Sequence, residues 1–300
     1  MTVTYRPAQL NDIPAVAAVC VSASNALSQQ RGFQTVEPGP PSPLYPFALQ
    51  YEPEGFWVAE DNGQVCGFSL SWMRESLWFL AFLFILPSHQ GKGIGRTLME
   101  RAMEYGRDAG VTHRALITAA YNPVSISLYL RYGMYPREPL YSITCASATL
   151  ASSGDLKSFN AERLAATQSN IEQLSRLDEH VLGFPRERHH HYLLNAKDAT
   201  CYVFKRHDRP EGYAYIWPNG RIGPLAVVVP TAFEKVMTAA LSLAACQNSA
   251  EVSALIAGSN EQAMSIAVKN KMQIKRPSLL MSSKPFGNWS NYLFYGAAFM

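Results

Sequence analysis

Two stretches of this chain read alike, and the likeness limits its fold more than any compositional figure does. Displaced by 138 positions, Ala115-Leu116-Ile117-Thr118-Ala119-Ala120-Tyr121-Asn122 falls on Ser253-Ala254-Leu255-Ile256-Ala257-Gly258-Ser259-Asn260. The same displacement sets Met134 on Met272 and Leu98 on Val236. A slightly different one sets Trp57-Val58 on Tyr202-Val203 and Gly67-Phe68 on Gly212-Tyr213. Earlier still, Ala8 and Asp12-Ile13 match Ala166 and Asn170-Ile171. Four blocks in one order, with an offset that drifts as loops grow or shrink, mark an internal repeat. The 300 residues are enough for two domains of ordinary size, so two copies of one fold are expected.

Apolar periodicity and turn chemistry predict an α/β architecture in the first copy. Residues 3–6 read as a strand, and Asn11-Asp12 can cap a helix whose apolar positions include Ile13 and Val16. Residues 28–46 are loop-like, with five prolines and the aromatic residues Phe33 and Tyr45. Residues 56–60 and 64–72 form a hairpin across Asp61-Asn62-Gly63. Residues 77–86 are apolar on both faces, which suits a central strand. A helix follows to Gly110, then a strand at 114–118, a helix from Asn122-Pro123 and a last strand at 141–146. The expected division is a first domain over 1–146, an Ala/Ser/Gly-rich linker over 147–160 and a second domain over 161–300.

Between the central strand and its helix lies Gln90-Gly91-Lys92-Gly93-Ile94-Gly95-Arg96. Its spacing fits neither the P-loop nor the dinucleotide fingerprint, whose third glycine is here Arg96. Free N–H groups and the dipole at a helix start favour an anion, and glycines admit close backbone approach. A pyrophosphate is the natural guest, with Lys92 and Arg96 adding positive charge. At the 138 displacement Gln90, Gly93 and Gly95 fall on Val228, Thr231 and Phe233, Lys92 and Arg96 on Pro230 and Glu234, and Tyr129 on Ala267. The second copy is therefore expected to keep the scaffold without the chemistry.

A net charge of +3 is too small and dispersed to indicate nucleic-acid or membrane partners. The five cysteines are scattered and form no CxxC pair, which fits unpaired thiols in a reducing compartment. No signal peptide is visible, and the longest fully apolar run, 77–86, is about half of a membrane span, so a soluble cytoplasmic protein is expected. The run His189-His190-His191 has no partners at zinc-site spacing and reads as solvated structure, so no metal is expected. The sequence carries no signal for an oligomeric state.

The loop 90–95 resembles the Gln/Arg-x-x-Gly-x-Gly/Ala pyrophosphate loop of the GNAT family of acyl-CoA N-acyltransferases. The stretch Asn122-Pro-Val-Ser125-Ile-Ser-Leu128-Tyr129-Leu-Arg-Tyr-Gly133-Met134 is similar to that family's Asn…Ala…Leu-Tyr…Gly-Phe segment, with Ser for Ala and Met for Phe. The match covers residues 3–146, and the second half resembles the degenerate companion domain of tandem members. The resemblance implies a mixed, mostly antiparallel sheet splayed between the strands ending near Leu86 and Thr118, with acyl-CoA in the gap. It further implies that the backbone of Phe84, Ile85 and Leu86 pairs with the pantetheine arm. The amides of Gly91, Lys92, Gly93, Ile94, Gly95 and Arg96 would hold the pyrophosphate, with Gln90 opening the loop. Asn122 and Ser125 would lie along the pantetheine, and Tyr129 near the thioester sulfur as acid to the leaving thiolate.

That reading makes the chain an acetyl-CoA-dependent N-acetyltransferase acting on a small-molecule amine. The alternatives are a protein or peptide acetylase and a non-catalytic acetyl-CoA-binding regulator. Direct attack on a thioester needs a neutral amine, an oxyanion donor such as a backbone N–H near Phe84 or Ile85, and an acid for the thiolate. It needs no nucleophilic cysteine. The strand 77–86 has no ionisable residue, so the base is open among Glu60, Glu75, His89, the second half, a water chain or an already neutral amine. Residues 28–46 with Phe33, Tyr45 and the following Phe47 are expected to line the acceptor pocket.

Overall fold

The computed structural model describes residues 2–150 and 160–298. It divides into two compact units, one of Met1–Ile117, Tyr121–Tyr135 and Ser282–Lys284, the other of Thr118–Ala120, Pro136–Met281 and Pro285–Met300. Of the expected linker, residues 147–150 form a helical turn and 151–159 lie outside the described residues.

The first unit holds strands β1 (Val3–Pro7), β2 (Phe56–Asp61), β3 (Gln64–Arg74), β4 (Leu77–Ile85) and β5 (His113–Ala119), adjacent in that order. β1 to β4 are antiparallel neighbours, and β5 is parallel to β4. Asn62 at φ 52° and Gly63 at φ 77° make the tight hairpin turn between β2 and β3. α1 (Ile13–Gln30) packs on β3 and β4. Together with the preceding turn it reaches the length and mean hydropathy, 1.2, of a membrane span, and Val16, Val19 and Ala23 are buried. α2 (Leu44–Tyr51) begins inside the stretch 28–46 that reads as loop and runs past its end, because the chain tolerates Pro46 in a first helical turn. α3 (Ile94–Asp108) lies on β2, β3 and β4, where Trp78 Nε1 donates to Ala102 O at 2.9 Å. α4 (Pro123–Arg131) completes the unit.

β6 (Tyr135–Ala146) begins earlier than the sequence pattern suggests and pairs antiparallel with a strand of the second unit. The residues from Pro136 onward therefore belong to that unit, although sequence organisation ends the first domain at 146. Conversely Ser282–Lys284 belong to the first unit, where Ser283 N donates to Arg114 O at 2.9 Å. Such pairings join residues about 110 to 170 positions apart and leave no local signature.

The second unit contains α5 (Ser147–Leu150), β7 (Asn160–Arg163), α6 (Gln168–Leu182), α7 (Glu187–Asn195), β8 (Thr200–Arg206), β9 (Arg209–Ile216) and β10 (Arg221–Val227). α8 (Phe233–Ala245), β11 (Glu251–Ala257), α9 (Glu261–Lys269), β12 (Gln273–Ser282) and β13 (Tyr292–Phe294) complete it. Its strand order is β12-β6-β11-β13-β10-β9-β8-β7. The repeat survives in detail. Val58 faces Phe68 as Val203 faces Tyr213, and both hairpins shift register after the matched residues Ala59 and Phe204. β5 and β11, and α4 and α9, stand 138 positions apart.

The histidine run is not solvated as expected, since His189 and His190 are buried. His190 Nε2 meets Asp178 Oδ2 at 2.6 Å, and Tyr215 OH lies 2.9 Å from His190 Nδ1. Asp178 also accepts from Arg186 Nε at 2.7 Å and Tyr213 OH at 2.5 Å. The network gives the buried His190 of α7 a partner at each ring nitrogen. Burial alone would raise the Asp178 carboxyl, but Arg186 and His190 outweigh it and hold it down to about 2. Burial lowers the His190 imidazole below its ordinary range against the pull of Asp178. The unfolded chain therefore takes up the His190 proton first as pH falls below about 6.5, and folded stability declines from there. Calorimetric midpoints are expected to fall between pH 7 and pH 5, with a smaller fall in His190→Phe. An equal fall in the variant would assign the effect to other groups.

Candidate active site

The site begins where a ladder stops. β4 and β5 pair in parallel from Leu77↔His113 to Leu80↔Leu116 and no further. On the other side of β4, Leu70 faces Phe82 while Ser71 faces Leu80, so Ala81 is an extra residue, a bulge that bends the strand. Among the described residues, Phe82–Ile85 pair only with β3. Side chains that are buried through Leu80 become half-buried from Phe82 to Ile85. The sequence marks this strand as central; the bulge that opens it has no sequence signal, because Ala81 sits in an unbroken apolar run.

A 3-10 turn over Pro87–His89 leads from β4 into the glycine loop. Gln90 Nε2 donates to Ile85 O at 3.0 Å, so this side chain ties the loop to the strand end. Gly91 and Gly93 hold φ of 76° and 82°, and Gly93 caps α3 in the left-handed region. A Cβ at either would meet nothing within 4 Å, so their glycines answer to backbone conformation in the free protein. Among the described residues, none accepts from the N–H of Gly91, Gly93, Ile94 or Gly95. The N–H of Arg96 is taken by Gly93 O at 3.0 Å, and the Arg96 side chain pairs with Glu100 at 3.0 Å. The amides left for an anion are those of 91, 93, 94 and 95, beside the positive end of α3.

Asn122 caps α4: its Oδ1 accepts from Ser125 N at 3.2 Å and its Nδ2 donates to Ser125 Oγ at 2.8 Å. Tyr129 is 5% exposed on the same helix, and its carbonyl accepts from Tyr132 and Met134 N–H at the helix end. The aromatic residues expected at the acceptor pocket divide. Tyr45 is buried against Phe56, Phe68 and Phe82, Phe47 packs on Tyr51 and Trp72, and Phe33 lies tilted against Tyr121 with ring centroids 4.6 Å apart.

The candidate bases are mostly committed. Glu60 pairs with Arg6, which also holds Asp12 at 2.7 Å. Glu75 sits at φ 48° in the β3–β4 turn, at the far end of β4 from the glycine loop. His89 Nε2 lies 3.2 Å from Asp61. Glu52, fully buried, accepts from Arg74 at 2.8 Å and Tyr105 OH at 2.6 Å. Burial pushes the thiols of Cys20, Cys66, Cys145 and Cys201 up, the reverse of nucleophile activation. No cluster of three metal-binding side chains occurs among the described residues.

A model of the acetyltransferase (GNAT) family matches residues 25–134. The uncharacterised N-acetyltransferase YjgM of Escherichia coli is 31% identical over 132 residues, which are 41% of this chain and 77% of that protein. The chain belongs to the GNAT family. It spans 37–46% of the length of the other curated relatives it matches. Two solved structures share its fold over nearly the full length. One is a candidate acetyltransferase from Pyrococcus horikoshii, with TM-score 0.77 and 17% identity over 99% of this chain and 96% of that one. The other is a tandem GNAT protein from the clavulanic acid biosynthesis pathway, with TM-score 0.63 and 14% identity over 95% and 99%. The two units are thus tandem GNAT-like folds.

Within this GNAT pair the second unit has lost the loop outright. Ala232 N donates to Val229 O at 2.8 Å as His89 N does to Leu86 O at 2.8 Å, so Val229-Pro230-Thr231-Ala232 stands for Leu86-Pro87-Ser88-His89. α8 then starts at Phe233, immediately after that turn, whereas α3 starts at Ile94. Gln90–Gly93 have no counterparts, which corrects the residue-for-residue match of Gln90, Gly93 and Gly95 to Val228, Thr231 and Phe233. The Leu-Pro-Ser and Val-Pro-Thr triplets are the sequence signal that could have shown it.

The glycines predict contrasting stabilities. Gly93→Ala forces a left-handed residue and is expected to destabilise by about 1–2 kcal/mol. At Gly95 a Cβ would touch Ile85 at an ordinary 3.6 Å inside a helix, so Gly95→Ala is expected to stabilise by about 0.5–1 kcal/mol. Denaturant unfolding of both variants checks this; equal effects would refute it.

Proposed function

We propose that the first unit transfers an acetyl group from acetyl-CoA to the amine of a small molecule, by direct attack in a ternary complex. The carrying observation is a strand left open by a bulge and running into a helix start with unclaimed amides. The backbone of Leu83 and Ile85, which points away from β3, suits the amides of a pantetheine arm. Phe84, by contrast, sits in a hydrogen-bonded pair with Phe68, and its N–H and C=O face β3. Leu86 is already engaged on both sides, its N–H by Cys66 O at 2.9 Å and its carbonyl by His89 N–H at 2.8 Å. The amides of Gly91, Gly93, Ile94 and Gly95, with Lys92 and Arg96 nearby, suit a pyrophosphate. Asn122 and Ser125 would border the arm, and bound acetyl-CoA would supply the acetyl thioester.

The other steps fall to the chain. A backbone N–H released at the bulge is the oxyanion donor. The amine nitrogen forms the new C–N bond as the C–S bond breaks, and the Tyr129 phenol protonates the departing sulfur. With no ionisable side chain on β4, the amine's proton leaves through water, or the amine enters neutral. Phe82 and Phe84 lie half-buried on the face of Phe68 and Tyr45, their rings 6.0 Å apart. That face favours an acceptor with an apolar or aromatic part over a polycationic peptide.

Release of free CoA thiol from acetyl-CoA with a panel of amines tests the reaction; binding without any thiol release would favour a regulator. Tyr129→Phe is expected to lower kcat by about 10²–10⁴-fold with little change in acetyl-CoA affinity. Gly93→Phe is expected to abolish acetyl-CoA binding in calorimetry; retained binding would place the anion cradle elsewhere.

A further inference from the structure

The second unit repeats the open strand pair but not the opening. β10 and β11 pair in parallel only at Arg221↔Ser253 and Ile222↔Ala254. β10 then shifts register between Ile222 and Leu225, as β4 does around Ala81. Beyond that point β13 enters between the two strands. It pairs antiparallel with β10 at Leu225↔Leu293 and Ala226↔Tyr292, and with β11 at Leu255↔Phe294 and Ile256↔Leu293.

A third contact falls at the same place. Asn260 is the repeat partner of Asn122 and caps α9 in the same way, accepting from Ala263 N at 2.9 Å. Its Nδ2 donates to Trp289 O at 3.2 Å, in the segment that leads into β13. In the first unit the equivalent amide turns to Ser125 of its own helix.

We infer that residues Trp289–Phe294 are a built-in stand-in for the pantetheine arm, which occupies the acyl-CoA cleft of the second unit and leaves one acyl-CoA site per chain. The inference rests on the proposal that the first-unit cleft binds acetyl-CoA. The strand uses the backbone groups of β10 and β11 that a bound arm would need, and takes the Asn260 amide as well. It is firmly held. Trp289 stacks on Phe294 at 5.0 Å, the Arg186 guanidinium lies 5.5 Å over the Tyr292 ring, and Tyr292, Leu293 and Phe294 are fully buried. Displacing it would expose that apolar surface to water, and the missing glycine loop offers no pyrophosphate contacts in return.

Hydrogen–deuterium exchange of the full chain, with and without acetyl-CoA, tests the inference. Amides of 289–294, 225–227 and 255–257 are expected to exchange slowly without ligand and to stay unchanged when it is added. Amides of 81–86 and 91–95 are expected to gain protection. Fast exchange at 292–294 without ligand, ligand-induced release of that segment, or a calorimetric stoichiometry of two would overturn the inference. If acetyl-CoA alters nothing at 81–95, the first-unit reading fails, while slow exchange at 292–294 still reports a filled cleft.

Gly223→Ala gives an independent check. Gly223 has φ 134°, and a Cβ there would meet Phe294 O at 2.5 Å. The variant is expected to speed exchange at 292–294 while leaving acetyl-CoA-dependent protection at 81–95 intact. Unchanged exchange at 292–294 would count against the strand's seating in the cleft.

Discussion

The parallel ladder between β4 and β5 ends after Leu80↔Leu116, and the candidate site exists because it ends there. A sheet interior cannot leave N–H and C=O groups unpaired without cost, since each buried unpaired group forfeits about 1–3 kcal/mol. The bulge at Ala81 bends β4 away and creates such a stretch inside the sheet. Something must meet those groups: water, a ligand with strand-like amides, or another part of the chain. The first unit leaves them without a partner strand and sets beside them a helix start with unclaimed donors. The second meets them with its own β13.

The two units thus share one physical problem and solve it differently. The scaffold is kept to the level of a hairpin bulge, repeated at Ala59 and Phe204. The differences concentrate where chemistry would occur: Gln90–Gly93 have no counterparts, Tyr129 corresponds to Ala267, and the Asn260 amide is spent on Trp289. Filling the gap converts backbone that would serve a ligand into a core of stacked rings around Trp289 and Phe294. The buried Asp178–Arg186–His190 network reaches the same strand through Tyr292.

Much of the first unit was legible residue by residue. The apolar run of β4, the Asn62-Gly63 turn and the Asn122 cap each carry a local rule, with a period, a φ preference or a side-chain acceptor behind it. The glycine loop was legible for the same reason, because positive φ at Gly91 and Gly93 restricts residue choice. α2 was hidden by its prolines, and the burial of His189 and His190 by the polarity of the run. Polar residues enter a core when partners wait there, and Asp178 and Tyr215 are 12 and 25 positions away from His190.

The sequence by itself determined the main strands and helices of the first unit apart from α2, the tandem repeat, the family motifs and the lack of an ionisable residue on β4. These come from local preference and periodicity, which act over a few residues. Only the tertiary structure decided that β6 belongs with β11, that Ser282–Lys284 belong to the first unit, and that β13 enters the gap between β10 and β11. It also decided which loop amides remain for an anion and which acids are already paired. Such outcomes depend on backbone hydrogen bonds between distant segments, and every residue except proline carries the same donor and acceptor. Side-chain identity therefore says little about which distant strand a segment will join.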